Sequence, residues 1–528
     1  MGKILEQKFT RFDKGVTNDF RDEDKRFARS IKHFDIHSEK TRLIPLRSME
    51  TDGSVGDTEK LCKVLSAYYD TGSAGKQYAL GVTSGTSQPA IFERSSLPSG
   101  AWTGSLNGAL GTAGARSENM FFAFNGSLFY ARAGTHIGRY NLVNDTHFET
   151  TMALTYTNVG QGIVHSKDGL AYFPYYVTTS NITTPYIGKF NTSYSLSAGL
   201  TLPVENIISD ICEYGNLLAI ATRPKYASTG GSVVYIWDRG ADSPNNIIEK
   251  IDAGAEIIHM VEEIDGELIM MSSSDISASN LVPKLIFRRY ISGVGAQIFL
   301  TINVGPSTSL VSYGPSTGLH TAGLISKQKR NGRVYFAMGL EIDGIQHDGI
   351  WAIGKTEEGN LSLSMERLVN NDTAITTYLP MGFQLLGDYL TVFYKDNSVY
   401  SAKVTNNDGA FSATSIYETV IHNLGDSSVT KKLLSGTLIF EPLPASSTVT
   451  LKYKKDEETS FTKIFDYTTT SGISHTAINI ESSGATLPQF KEITFRIETT
   501  GPASATQNKA PVITGLKFKA EIIDKDIN

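Results

Sequence analysis

Between residues 58 and 405 the chain repeats one order of elements: a strand, a tight turn, a second strand, a looser loop and a third strand. The tight turns carry hairpin chemistry, in Asn125-Gly126, Asp168-Gly169, Asp265-Gly266 and Asn331-Gly332, with Gly215-Asn216 and Gly387-Asp388 serving two more copies. Asn-Gly and Asp-Gly suit two-residue hairpins because both central positions need positive φ. The apolar strands after the turns match in character: Leu128–Tyr130, Leu170–Phe173, Leu217–Ile220, Leu268–Met270, Val334–Phe336 and Tyr389–Phe393. The third strands match as well, in Ile137–Tyr140, Ile187–Phe190, Val234–Trp237, Leu285–Arg288, Ile350–Ile353 and Val399–Ala402. An earlier copy, less regular, runs through Leu61–Tyr69, Gln77–Val82 and Ile91–Arg94.

The turns at 125, 168, 215, 265, 331 and 387 are separated by 43, 47, 50, 66 and 56 residues. A propeller blade takes roughly 40–50 residues, with insertions in its loops. One small sheet cannot cover both of its faces, and stacking such sheets around an axis does so while leaving only short edges. The expectation for 58–405 is therefore a β-propeller of seven blades, with six as the alternative. Ordinary hairpins in a β-sandwich are the competing reading.

Three other stretches differ. Residues 1–57 read as an extended arm, with one short helix over Asp22–Lys32 and an extended piece around Pro45. Its apolar residues, Phe20, Phe27, Ile31, Phe34 and Ile36, are too widely spaced to close a core alone, so the arm is expected to order on a neighbouring chain. Residues 406–414 form a polar linker. From 415 to 528 seven strands are predicted: Ile416–Ile421, Leu433–Glu441, Thr448–Tyr453, Phe461–Phe465, Thr476–Ile480, Glu492–Ile497 and Ile513–Ile522. Seven short strands in about 110 residues suggest a β-sandwich or jelly roll. The fold class is all-β throughout.

Composition agrees with strands. The chain of 528 residues has 24 Tyr, 25 Phe, 48 Gly and 17 Pro, which favours strands and turns and excludes collagen, coiled-coil and disordered classes. A net charge of −6 disfavours a dedicated nucleic-acid binder, which needs clustered cations. Residues 1–50 carry 12 Lys or Arg and 9 Asp or Glu, a balance of +3, so the remainder is −9. Cys62 and Cys212 are too few for a disulfide framework or a zinc site and fit a reducing compartment. No apolar run is long enough to cross a membrane as a helix.

The search for chemistry ends without a constellation. No Gly-x-Ser-x-Gly elbow, phosphate loop or His-Glu-x-x-His motif occurs. His33 and His37 would share a helix face, but they lack a third ligand and Asp35 between them would point elsewhere. Asp343-Gly344 and Asp348-Gly349 suit Ca²⁺ in principle and are read as tight turns. Glu262 and Glu263 precede a hairpin, and Glu341 and Asp343 straddle one, without a placement that asks for acid–base work. Ser166-Lys167-Asp168-Gly169 is read as turn chemistry. Tyr172, Phe173, Tyr175 and Tyr176 are the densest aromatic cluster, either a sugar platform or a core strand. The expectation is no catalytic, metal or cofactor site, no cofactor, and no enzyme.

Two portions resemble bacteriophage virion proteins. Lys14-Gly15-Val16-Thr17-Asn18-Asp19-Phe20-Arg21, ahead of a propeller-like repeat, resembles the leader of tail nozzle or hub proteins of short-tailed phages. The segments Pro442–Pro444, Leu451–Phe461, Ile480–Thr486 and Ile513–Phe518 are similar to β-sandwich domains at the ends of phage structural proteins. The resemblance implies a structural tail protein in the virion, assembled in the host cytoplasm. It implies a ring homo-oligomer, a hexamer, that contacts adaptor or portal-proximal and fibre proteins and lines a path for transient DNA passage, without membrane insertion. A receptor- or glycan-binding fibre or decoration protein is the alternative, and a propeller glycosidase the third. The expected interface residues are Phe20, Arg21, Arg26, Phe27, Arg29, Phe34, Ile36 and Arg47.

Overall fold

A computed structural model of the chain describes residues 3–17, 26–52, 60–67, 76–82, 89–95, 100–103, 120–131, 136–144, 146–153, 156, 158–225, 231–242, 246–254, 256–273, 284–304, 326–342, 345–356, 358–368, 378–386, 389–396, 399–405, 410–469, 477–479, 486–502 and 509–523. Among these residues the regular structure is strand, without an α-helix. The chain divides into two compact units. The larger holds 51–348 and 374–404, and the smaller holds 1–50, 349–373 and 405–528.

The larger unit is a succession of antiparallel meander sheets of the β-propeller type. Lys60–Ala67, Lys76–Val82 and Pro89–Arg94 form the first. Phe121–Phe124 to Thr146–Ala153, Asn158–Val159 to Leu196–Thr201, Asn206–Tyr214 to Ile247–Asp252 and Ile257–Ile264 to Gly295–Asn303 follow as separate sheets. Lys327–Arg330 pairs with Arg333–Ile342, and Tyr378–Leu386 with Tyr389–Asp396 and Val399–Thr405. At Asn125, Asp265 and Asn331 the sequence-read hairpins sit where their chemistry puts them, while Asp168-Gly169 belongs to the longer Ser166–Gly169 turn, closed by the His165 N–H on the Leu170 carbonyl, and Gly387-Asp388 lies outside the described residues. Asn125, Asp265 and Asn331 have φ of 45°, 48° and 50°, each followed by a glycine at positive φ.

The repeat is written into strand irregularities as well as turns. The first strands of four sheets are bulged at one place, between Leu61 and Lys63, Ile208 and Asp210, Ile258 and Met260, and Pro380 and Gly382. A bulge bends a strand and strengthens its twist, so a shared bulge gives each sheet the same curvature. Last and first sheets meet, with Tyr378–Leu386 packed against Lys60–Ala67. A buried polar network fastens this junction. Arg94 donates to Asp52 Oδ2, Gln77 Oε1 and Thr391 Oγ1, each at 2.7 Å, and Gln77 donates to Gln384 at 2.9 Å. The Arg94 guanidinium also lies 4.4 Å from the Trp102 ring.

The smaller unit is built from three distant segments. One sheet orders Ile4–Phe9, Ile513–Ile522, Lys431–Phe440 and Ala477–Asn479. In the other, Leu361–Leu368 lies beside Ala28–Lys32, followed by Ser415–Thr419, Ile493–Thr500, Thr448–Lys455 and Thr462–Thr468. Both sheets feed one core, where Phe9, Phe12, Phe34, Tyr417, Leu451, Phe495 and Phe518 are buried together.

This arrangement corrects the reading of the N-terminal arm. Ala28–Lys32 is a strand, not the end of a helix, because it pairs with Ser415–Thr419 and turns Ala28 and Ile31 into the core. Residues 22–25 of that predicted helix lie outside the described residues. Phe34 and Ile36 are buried within the chain's own core, so they are unavailable to a neighbour. The larger unit begins at 51 rather than 58 and ends at 404, beside the boundary drawn at 405, and residues 349–373 belong to the smaller unit instead.

Candidate functional site

In the larger unit the most unusual chemistry lies on the first strands of three sheets. Ile211, Val261 and Lys327 each stand four residues before a turn residue, at Gly215, Asp265 and Asn331. This common register lets the Lys327 ammonium donate to the carbonyls of Ile211, at 3.1 Å, and Val261, at 2.5 Å. It also meets Asp210 Oδ2 at 2.6 Å and Glu262 Oε2 at 3.2 Å. The bulge at Ser209 aims Asp210 here, where its Oδ2 also accepts the Val261 N–H at 2.9 Å.

Burial opposes ionisation on both sides of this cluster. It pushes Asp210 up to about 6, against the pull of Lys327 and the Val261 N–H. For Lys327 burial acts downward, but Asp210 and Glu262 outweigh it and hold the ammonium above its usual value. One ammonium compensates two carboxylates and two carbonyls, which makes this a lock between strands. Glu263 is likewise bound by Lys329. The cluster includes Glu262 and Glu263, already notable in the sequence. Its lysines were missed, although aligning Asp265 with Asn331 brings Glu263 and Lys329 into register.

The Ser166–Gly169 turn is a clamp. Asp168 accepts the Leu170 N–H at 3.0 Å and the Tyr172 hydroxyl at 2.7 Å, and pairs with Arg239. Arg239 in turn donates to the Asn216 carbonyl, tying one sheet's turn to the next sheet's. The aromatic cluster is core on both faces of its strand. Phe173 and Tyr175 pack on one side, Tyr172 and Tyr176 on the other. That burial removes it as a sugar platform. Cys212 is free and buried, and burial pushes its thiol up, which makes it unreactive. Glu341 is half-buried and Asp343 lies outside the described residues. Asp348-Gly349 continues the strand Ile345–Lys355 and makes no tight turn.

In the smaller unit Asp35, His37 and Glu366 have potential ligand atoms within 4.8 Å of one another. His33, at φ 65°, bends the chain between Ala28–Lys32 and Phe34–Asp35. Asp35 then receives the N–H groups of His37, at 2.9 Å, and Ser38, at 3.0 Å, on Oδ1 and the Ser38 hydroxyl on Oδ2. The expectation that Asp35 points away from the histidines is corrected for His37. A turn, not a helix, sets the geometry, and the third member comes from over 300 residues away.

Of the expected interface residues, Arg26 binds Glu358 at 2.9 Å and Phe27 lies 5.8 Å from the Lys14 ammonium. Arg29 and Arg47 are half-buried, Phe34 and Ile36 are core, and Phe20 and Arg21 lie outside the described residues.

No family model matches the chain, and no curated protein matches it. Among solved structures it is similar to an exo-β-1,3-galactanase from Phanerochaete chrysosporium, at 9% identity and TM-score 0.30, covering 91% of this chain and 100% of that one. It is similar to the WD40 β-propeller domain of Doa1, at 11% identity and TM-score 0.38, covering 69% and 97%. A lignostilbene dioxygenase from Pseudomonas brassicacearum matches at 8% identity and TM-score 0.36, covering 67% and 91%. Glycoside hydrolases stand among the structures it is similar to, which runs against the expectation that the chain is not an enzyme. Likeness this remote brings no substrate or reaction to this chain, and adds nothing to the resemblance to phage tail proteins.

Proposed function

We propose that the larger unit is one seven-bladed β-propeller, that the smaller is a β-sandwich, and that the chain is a structural component of a short-tailed phage tail. In this reading copies of the chain form a ring that meets adaptor and fibre proteins and surrounds the path of the DNA. The observation that carries it is the construction of the leader. Gly15, at φ +78°, sits where a Cβ would lie 2.5 Å from the Leu363 carbonyl, and Val16 donates to that carbonyl at 2.8 Å. Residues 14–17, the described part of the segment that resembles a tail-protein leader, are thus a fixed part of the smaller unit, as an assembly component requires. Contact between last and first sheets, with the Arg94 network across it, supports closure into one disc.

Sedimentation and electron microscopy of the purified chain test the ring, and mass spectrometry of purified phage particles tests the location. Discrete rings, with the chain present in particles at a fixed copy number, are the expected result. A monomer at all concentrations together with absence from particles overturns the proposal.

A further inference from the structure

We propose that Asn331-Gly332 is a site of spontaneous covalent modification, where Asn331 loses its side-chain nitrogen as ammonia and becomes aspartate or isoaspartate, while Asn125-Gly126 is protected from the same reaction. By backbone the two turns are alike. Asn125 and Gly126 have φ of 45° and 70°, and Asn331 and Gly332 have φ of 50° and 70°, so each is a two-residue hairpin turn. The other Asn-Gly of the sequence, Asn107-Gly108, lies outside the described residues. In the reaction the Gly332 backbone N–H gives its proton to hydroxide and the nitrogen attacks Asn331 Cγ. A C–N bond forms, the Cγ–Nδ2 bond breaks and ammonia leaves with a proton from solvent, which closes a cyclic imide. Water then opens the imide at Cγ, giving aspartate, or at the main-chain carbonyl of residue 331, giving isoaspartate. A glycine leaves the attacking nitrogen open to approach, and nothing lies within 4 Å of where a Cβ on Gly332 would stand.

The turns differ in what holds them. Asn125 Nδ2 donates to the Thr192 carbonyl at 2.8 Å, and the Asn125 carbonyl accepts the Tyr194 hydroxyl at 2.5 Å. The Gly126 carbonyl accepts the Leu142 N–H at 2.9 Å. The side-chain amide under attack and the peptide group that must swing toward it are both fixed there. The Asn331 side chain has no hydrogen-bond partner among the described residues, and Asn331 and Gly332 are both exposed. A second observation is electrostatic. Arg330 pairs with Arg333 across this turn, whereas Phe124 pairs with Ser127 across the other. Like charges directly opposite weaken a hairpin, so the Asn331 turn opens more easily and lets the nitrogen reach Cγ. Positive charge nearby also favours the anionic amide nitrogen and the carboxylate that forms.

The test incubates the full folded chain at mildly alkaline pH and follows its peptides by mass spectrometry, with isoaspartate read separately by enzymatic methylation. The peptide carrying Asn331 should gain the acid form about tenfold faster than the peptide carrying Asn125. In urea the two rates should draw together. Tyr194→Phe, which drops one hydrogen bond of the clamp, should speed conversion of Asn125 alone, and Arg333→Gln should slow that of Asn331. The wild-type comparison stands even where a variant fails to fold. Asn331 unchanged in the folded chain, or Asn125 converted as fast, overturns the proposal. A gap undiminished in urea assigns the difference to the neighbouring sequence rather than the fold, and overturns the protection of Asn125.

Discussion

The two units solve the same problem, covering the faces of small sheets, by opposite routes. The larger covers each sheet with the next one in the chain, and its strands pair with near neighbours through two-residue turns. The smaller draws strands from residues 4, 28, 361, 415 and 513 into common sheets. A local design shows itself as a repeat. A long-range design shows itself only when the partners are known, because its strands carry no sign of whom they will meet. The N-terminal segment illustrates this. Ordering it costs about 1–2 kcal/mol of backbone entropy per residue, and the offsetting burial is inside the chain. Phe9, Phe12, Val16, Ile31, Phe34, Ile36 and Leu43 are all core.

Deleting residues 1–50 is the largest test of that contrast. The deletion removes those core side chains, each worth roughly 1.5–3 kcal/mol. Their sum exceeds the stability of about 5–15 kcal/mol available to a domain. The thermal transition of the smaller unit should vanish in calorimetry. In the intact monomer, trypsin should spare Arg29, Lys32, Arg42 and Arg47, which lie in or beside paired segments. Rapid cutting there, with the C-terminal strands unaffected by the deletion, would return the segment to the status of a free arm.

Lys327→Met probes the lock of the larger unit. It strands Asp210 and Glu262 without their cation, at a cost of about 3–5 kcal/mol, read from urea denaturation. Adding Asp210→Asn should recover part of the loss. Because the Lys327 ammonium is held above its ordinary value, its contribution is complete below pH about 10.4 and declines at higher pH. The variant should lack that alkaline decline.

His259 supplies the acid counterpart. It is the bulged residue of Ile257–Ile264, and its Nε2 meets Ser273 Oγ at 2.7 Å. Burial, reinforced by Arg223, pushes it from 6.5 down to about 3. A depressed histidine stabilises the fold above its unfolded value. That contribution is lost as pH falls from about 6.5 towards 3, up to a limit of about 5 kcal/mol. The residue as a whole is only half-buried, which reduces the figure. His259→Gln should flatten stability against pH over this window, and an unchanged slope would remove His259 as its source.

How far the sequence could be read follows the same division. Hairpins at Asn125, Asp265 and Asn331 were legible because positive φ restricts residue choice. In the smaller unit Ile513–Ile522 matches its predicted bounds, since alternation marks a strand wherever its partners lie. The parallel contact between Lys32 and Met365 leaves no such mark. The polar clusters divide likewise. Glu263 and Lys329 were within reach of turn alignment, whereas Glu366 joins Asp35 and His37 only through a bulge and a segment far along the chain.

The smallest expected effect is at the clamp between turns. Asp168→Asn keeps the shape of the side chain and the Leu170 and Tyr172 contacts, but removes the charge facing Arg239. The Leu170 N–H, the Tyr172 hydroxyl and Arg239 together outweigh burial and hold Asp168 below its ordinary value, so its contribution is present above pH about 3.9 and lost below it. The carboxylate is exposed, so solvent screening limits the loss to about 1 kcal/mol or less. A double-mutant cycle with Arg239→Gln isolates the pair, and added salt should shrink the coupling further. Coupling of several kcal/mol would mean that adjacent sheets are held together at their turns as strongly as at the Lys327 strands. No coupling would leave Arg239 acting only through the Asn216 carbonyl, with the acidic turn residue needed for hairpin geometry alone.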